Sequence, residues 1–216
     1  MNEKFYVLKP VGLRFGTKFA YGEQVHPIQT GDFARCPVCG HPVTARKWLS
    51  PRKIKLSTSQ KSKWGDFVWG DGFTLVVSER FAQLYKNGNL HGISSFQAVN
   101  IVKTGQKNSA VEQPKYYLID FDWNGANLDD EKSGIIRNNI KCAFCRASII
   151  KSFNRVVIET NSWKGADIFG VRGLPGEILV SEKTKLLIES FKLTGAIVVP
   201  SERYSYDQFS GWSICN

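Results

Sequence analysis

Leu75-Val76-Val77-Ser78-Glu79 returns 103 residues later as Ile178-Leu179-Val180-Ser181-Glu182, and the architecture of the chain is read from this pair of stretches. In each, a run of three apolar residues reads as a strand. The serine that follows suits a helix N-cap, because its hydroxyl can accept a bond from an orphan amide of the first turn. The glutamate behind it stands where the helix dipole favours negative charge. Phe81, Leu84 and Tyr85 then recur at helical spacing up to Asn87-Gly88, and Leu186, Leu187 and Phe191 do so after the second stretch. The same offset carries Leu84 to Leu187, Leu90 to Leu193 and Gly92 to Gly195. Each helix leads into a further extended segment, Phe96 to Val102 and Ala196 to Val199.

Upstream, Trp64-Gly65-Asp66-Phe67 reads as a compressed form of Trp163-Lys164-Gly165-Ala166-Asp167-Ile168-Phe169. A C-x-x-C pair precedes each of these, at an offset of 106. The order of features is the same twice over, so a 216-residue chain reads as one duplicated unit of about a hundred residues. Elsewhere strands dominate: Tyr116 to Trp123 alternates in part, and Arg155-Val156-Val157-Ile158-Glu159 is a β-rich run. The expected fold is therefore α+β and strand-dominated. It has a first lobe at 1–104, a polar link at 105–115 and a second lobe at 116–216, with the alternative that both pack as one compact domain. Asn124 to Ser133, with Asp129, Asp130 and Glu131, reads as an exposed acidic loop lacking the ligand spacing of a calcium-binding EF-hand.

Four of the five cysteines form the two pairs, Cys36-Pro37-Val38-Cys39-Gly40 and Cys142-Ala143-Phe144-Cys145-Arg146. A C-x-x-C turn aims two thiolates at one point, and two such turns complete the tetrahedral four-cysteine site that zinc prefers. Cys36, Cys39, Cys142 and Cys145 are thus candidate ligands of one structural zinc that clamps the lobes. Two unrelated thiol pairs, or a redox pair, are the alternatives. Pro37 and Gly40 suit a tight knuckle, whereas Arg146 replaces the expected glycine and requires the second turn to adjust. Cys215 reads as a free thiol. A closed site of four thiolates has no position for a catalytic water, and neither H-E-x-x-H nor the H-x-E of a zinc deaminase is present. His26, His41 and His91 have no obvious nucleophile or carboxylate partner nearby in sequence, so the chain reads as a binder and not an enzyme.

The net charge is +10, and all of it belongs to the first half: residues 1–110 hold 16 Lys and Arg against 6 Asp and Glu. Between Asp32 and Asp66 no carboxylate interrupts Arg35, Arg46, Lys47, Arg52, Lys53, Lys55, Lys61 and Lys63. A one-signed segment favours an anionic partner. Arg46, Lys47, Arg52, Lys53 and Lys55 are the candidate partner-binding residues. Aromatics are few in this stretch, Trp48 and Trp64 among them, whereas single-stranded nucleic acid prefers stacking platforms between the charges. No apolar run approaches the roughly 20 residues that span a bilayer, and the N-terminus shows no secretory signal, so a cytoplasmic protein without membrane contact is expected.

The combination of Cys36-Pro37-Val38-Cys39-Gly40, Gly65-Asp66-Phe67, Val77-Ser78-Glu79-Arg80-Phe81, the second C-x-x-C and Asp167 to Glu182 resembles the double-CxxCG proteins first noticed in myxobacteria. These in turn are similar to an immunity family of bacterial polymorphic-toxin systems. The resemblance spans roughly residues 30–207 and departs from the family pattern at Arg146. It implies an antitoxin-like protein that binds and neutralises a cognate toxin. The basic segment adds that the toxin's binding surface is acidic. The competing expectation is a nucleic-acid-binding, zinc-ribbon-like protein whose contact is the first knuckle and the basic stretch behind it.

Overall fold

Ser78 and Ser181 cap helices as their positions require. Ser78 accepts from the amide of Phe81 at the start of a helix at Glu79–Asn87, and Ser181 from that of Thr184 at the start of its counterpart at Glu182–Ser190. The computed structural model describes residues 3–11, 19–57, 64–70, 73–102 and 114–214. Most of the 105–115 link, Lys61, Lys63 and Cys215 lie outside the described residues.

In chain order the strands are β1 (Phe5–Pro10), β2 (Tyr21–Gln24), β3 (Lys53–Ser57), β4 (Phe67–Gly70), β5 (Phe73–Ser78), β6 (Ile93–Ile101), β7 (Tyr116–Phe121), β8 (Ala126–Asn127), β9 (Ile136–Arg137), β10 (Ile150–Phe153), β11 (Ile168–Arg172), β12 (Leu174–Ser181), β13 (Ala196–Pro200), β14 (Tyr204–Asp207) and β15 (Gly211–Ile214). Helix α1 (Glu79–Asn87) follows β5, the single turn α2 (Asp130–Ser133) follows β8, and α3 (Glu182–Ser190) follows β12. The fold is α+β and strand-dominated, as the sequence leads one to expect.

Six strands close a barrel in the order β2-β3-β6-β7-β5-β4, and five form a sheet in the order β13-β1-β12-β11-β8. A smaller sheet runs β15-β14-β10-β9. These arrangements display the duplication: β6-β7-β5-β4 in the barrel corresponds to β13-β1-β12-β11 in the open sheet. The middle strands have changed places. β1, from the start of the chain, lies between β12 and β13 of the second repeat, with Tyr6 opposite Val180 and Pro200. β7, which opens the second half, lies between β5 and β6 of the first, with Tyr117 opposite Val77 and Ala98. Each repeat thus gives its first strand to the other's sheet.

The exchange explains why the two repeated stretches are continuously apolar. Leu75 and Val77 face a core shared by both repeats, where they meet Phe81, Ile178, Val180 and Ile188. Val76 points the other way into the barrel with Ile54, Val68 and Leu118, and Leu179 points into the second repeat's own core with Leu128, Phe169 and Tyr204. A strand buried on both faces loses the alternation that a half-exposed strand shows.

A reciprocal clasp fixes the two repeats against each other. After α1 the chain turns through Asn89 at φ 49°, and after α3 through Lys192 at φ 48°. The next residues dock on the opposite repeat. Thr194 donates its amide to Oδ2 of Asp66 at 2.9 Å, and His91 donates its own to Oδ2 of Asp167 at 2.8 Å. The other carboxylate oxygens accept from the cap serines, Ser78 to Asp66 at 2.8 Å and Ser181 to Asp167 at 2.6 Å. Gly92 and Gly195 follow at φ 113° and 92°, and a Cβ on either would lie about 2.1–2.2 Å from the carbonyl oxygen of Ile168 or Phe67. Reciprocal contacts of this kind are what a two-fold relation produces.

Three local expectations are corrected. On α3 the buried residues are Thr184 and Ile188, while Leu186 and Phe191 are about half exposed, because the face equivalent to Phe81 and Tyr85 is the one that meets the shared core. Residues 124–133 are not an exposed loop. Ala126 and Leu128 are buried, Asp129 caps α2 through the Lys132 amide, and Ser133 is fully enclosed. Residues 155–159 form no strand beyond a bridge from Ile158 to Leu128; their amides bond to Asn127 and to turns at Ser133 and Ser201. The repeats also differ at their tryptophans: Trp163 packs edge-on against Phe5, whereas Trp64 is exposed.

Candidate metal centre

Between β2 and β3 the chain leaves the barrel as an arm, residues 25–52, that folds back on itself. The arm begins where Val25 donates to the carbonyl of Lys53, and its two sides are laced by Leu49 to Gln29, Gly31 to Lys47, Lys47 to Asp32 and Val43 to Ala34. Trp48 and Ile28 root it in the barrel core. At the tip Cys36-Pro37-Val38-Cys39 makes the first knuckle. Gly40 takes φ 72° and returns its amide to the Cys36 carbonyl at 2.9 Å.

The second knuckle, between β9 and β10, has the same turn. Arg146 takes φ 53° and donates to the Cys142 carbonyl at 2.9 Å, so the turn keeps its shape without a glycine. A left-handed arginine costs about 1–2 kcal/mol. Its side chain offsets this with bonds to the Leu128 carbonyl at 2.6 Å and to Glu159 at 2.8 Å. Arg137 adds a bond to the Arg146 carbonyl at 3.1 Å, and the Arg172 guanidinium lies 4.4 Å above the Phe144 ring inside the knuckle. The second knuckle is therefore tied firmly to its own repeat.

The tertiary structure brings all four predicted cysteines together, with their sulfur atoms within 4.8 Å of one another. Cys36 and Cys142 are 4.0 Å apart and Cys39 and Cys145 3.6 Å, far beyond a disulfide bond of about 2.05 Å. The edge of a tetrahedron with bonds of about 2.3 Å is about 3.8 Å, so the spacing suits one tetrahedral ion. Neither knuckle opens a helix, which separates the pairs from the usual redox arrangement.

The thiols differ in their readiness to ionise. At Cys36 burial opposes ionisation, but the amides of Cys39 and Val38 outweigh it and bring the thiol down to about 7. The Cys145 and Phe144 amides lower Cys142, whereas burial pushes Cys145 up to about 12. Four thiolates at these distances repel one another, and a bound dication offsets that repulsion.

The basic candidates are divided between two places. Arg46 and Lys47 are exposed on the arm. Arg52 donates Nε to the Trp48 carbonyl at 2.7 Å and is held half-buried at the arm's root, where burial lowers its pKa. Lys53 and Lys55 continue from there on β3, Lys55 exposed. Among the described residues no ion pair joins Arg46, Lys47, Arg52, Lys53 or Lys55 to a carboxylate. Sequence reasoning missed Phe33, and it counted Arg35 in the basic run without placing it among the partner-binding candidates. Arg35 lies 4.4 Å over one face of the Phe33 ring and Arg46 lies 5.7 Å from its centre, so the ring gathers two guanidinium groups beside the knuckle. Only the hairpin pairing of residues 30–35 with 42–48 shows that Arg35 and Arg46 are neighbours.

A family model described as an immunity protein family (Imm11) matches residues 15–199. No curated protein matches the chain.

Proposed function

Because the chain belongs to the Imm11 immunity protein family, we propose that it neutralises a cognate bacterial toxin by binding it directly. The family match over most of the chain carries this reading. Inhibition works by occupying the toxin's surface and needs no catalytic step from this protein. The repeats 1–104 and 116–216 act as one interlocked body, and Cys36, Cys39, Cys142 and Cys145 hold a structural zinc between them.

The toxin meets the basic side of the first repeat, with Arg46, Lys47, Arg52, Lys53 and Lys55 in contact with an acidic face. Among the described residues none of the five is ion-paired to a carboxylate, which leaves their charges available to steer encounter with an anionic surface. Among the described residues no helix is long and apolar enough to cross a membrane, and we place the protein and its partner in the cytoplasm.

The test is a tagged pull-down from the producing cells, with and without nuclease. A stoichiometric protein that survives nuclease and binds more weakly as salt rises supports the reading. Bound material that disappears with nuclease transfers the function to nucleic-acid binding by the first knuckle and the basic arm. A strongly basic captured toxin, or tight binding indifferent to moderate salt, removes the acidic-face part.

A further inference from the structure

The arm and the repeats are held by different means. Between the repeats run two exchanged strands, a common core and the two carboxylate clasps at Asp66 and Asp167. Residues 29–47, in contrast, form their hydrogen bonds within the arm. Among the described residues nothing joins that stretch to the second repeat by a hydrogen bond or ion pair apart from the contacts among the four thiols, Cys36–Cys142 and Cys39–Cys145 foremost. Among the described residues the apolar groups packed against those thiols are Val43 from the arm and Phe144 and Ala147 from the other knuckle. That apolar patch is too small to hold an arm whose remaining surface faces water.

The two knuckles differ accordingly. The second is braced by Arg146, Arg137 and Arg172 against its own repeat, and the first rides at the end of the arm. A dication with four thiolates carries a net charge of about −2. Arg146 and Arg172 stand on the braced side of such a centre, and Arg35, bonded to the Gly40 carbonyl at 3.0 Å, on the arm side.

We propose that metal binding by the four cysteines docks the arm onto the second repeat and does not hold the repeats together, so that metal loading fixes the position of the Phe33–Arg35–Arg46 face that meets an acidic protein surface. The mention of a protein surface rests on the immunity reading; the docking itself does not. Loss of the ion frees the arm at its root near Trp48 while the barrel and the five-stranded sheet persist. The binding energy of a structural metal then appears as local order of the arm and not as stability of the whole chain.

The experiment compares the metal-loaded full chain with the same chain stripped by a chelator, following amide hydrogen exchange by mass spectrometry and counting bound metal. Stripping should speed exchange in residues 29–47 by about tenfold or more, the signature of a local opening, and leave β1, β7 and β12 protected. A Cys36→Ser, Cys39→Ser chain should reproduce this pattern without chelator, and added zinc should fail to reverse it. Loss of protection throughout β1 and β7 on stripping overturns the proposal, because the ion would then be joining the repeats. Unchanged protection in residues 29–47 overturns it as well, since the arm would dock unaided. The readout involves no partner, so a failed pull-down and a failed exchange experiment remain distinct results.

Discussion

Replacing Asp167 with alanine tests the reciprocal clasp most directly. The side chain is 3% exposed and accepts two hydrogen bonds, from Ser181 Oγ at 2.6 Å and from the His91 amide at 2.8 Å. Its main-chain bonds to His91, Ser181 and Thr184 do not need the carboxylate and survive the change. A hydrogen bond to a charged acceptor contributes about 1.5–3 kcal/mol, and leaving the partly buried His91 amide without its partner adds a fraction of the about 1–3 kcal/mol that a fully buried one would cost. Removing the charge also removes its desolvation cost, which moves the sum towards the lower ends of these ranges. The expected loss is therefore about 3–4 kcal/mol. At about 2–4 °C per kcal/mol for a chain of this size, the melting temperature should fall by about 6–16 °C. Urea denaturation followed by tryptophan fluorescence gives the free energy, and a thermal scan gives the shift. Asp167→Asn keeps one acceptor and should lose about half as much. Asp66→Ala removes the equivalent bonds together with those to Thr194 Oγ1 at 3.1 Å and Arg80 at 3.3 Å, so it should cost at least as much as Asp167→Ala. A loss below about 1 kcal/mol for Asp167→Ala, with the fold intact, would refute the claim that the carboxylates fasten the repeats.

Gly195→Ala forces a Cβ to about 2.2 Å from the Phe67 carbonyl oxygen at a φ of 92°, and the expected loss exceeds about 3 kcal/mol in urea denaturation; a change within about 0.5 kcal/mol contradicts the close docking. Arg146→Gly relieves a left-handed backbone worth about 1 kcal/mol but forfeits the bonds to Leu128 and Glu159, so calorimetry should show a lower melting temperature, and a higher one would mean that those bonds contribute little. Glu159 is held below its ordinary 4.5 by hydrogen bonds from Asn127 and Arg146, and a depressed carboxylate stabilises the fold above its unfolded pKa and loses that contribution as pH falls through the folded value. Glu159→Gln should accordingly flatten stability between about pH 5 and 3; because the carboxylate is 39% exposed the change is small, and an unchanged acid limb removes Glu159 from the account.

Much of this molecule is readable from local sequence. Ser78 and Ser181 mark their helices because a cap needs only the residue and the amides just after it. The two C-x-x-C turns announce themselves because a knuckle closes over four residues, and four thiols in two such turns have few uses other than a shared metal. The repeat is visible because duplicated elements keep their order. The segments misread are those where burial depends on distant neighbours. Leu187 and Phe191 stand four residues apart just as Thr184 and Ile188 do, and only the position of the shared core makes the second pair the buried one. Asp129 to Ser133 looks solvated by composition, yet Asp129 caps a turn and Asp130 pairs with Arg137 at 3.0 Å.

The class of fold, the capped strand–helix units, the two cysteine pairs and the one-signed charge of the first half follow from residues that are neighbours in the chain. Which strand lies beside which does not. β1 and β7 have similar patterns and can serve either repeat, and the choice of the opposite one follows from burial of β5 and β12 on both faces and from the Asp66 and Asp167 clasps. The meeting of Arg35 and Arg46 over Phe33 is likewise a product of packing, as is the contrast between one knuckle on a braced body and the other on an arm. These relations join residues far apart in the chain, and nothing in a strand's or a turn's own residues specifies the surface against which it comes to rest.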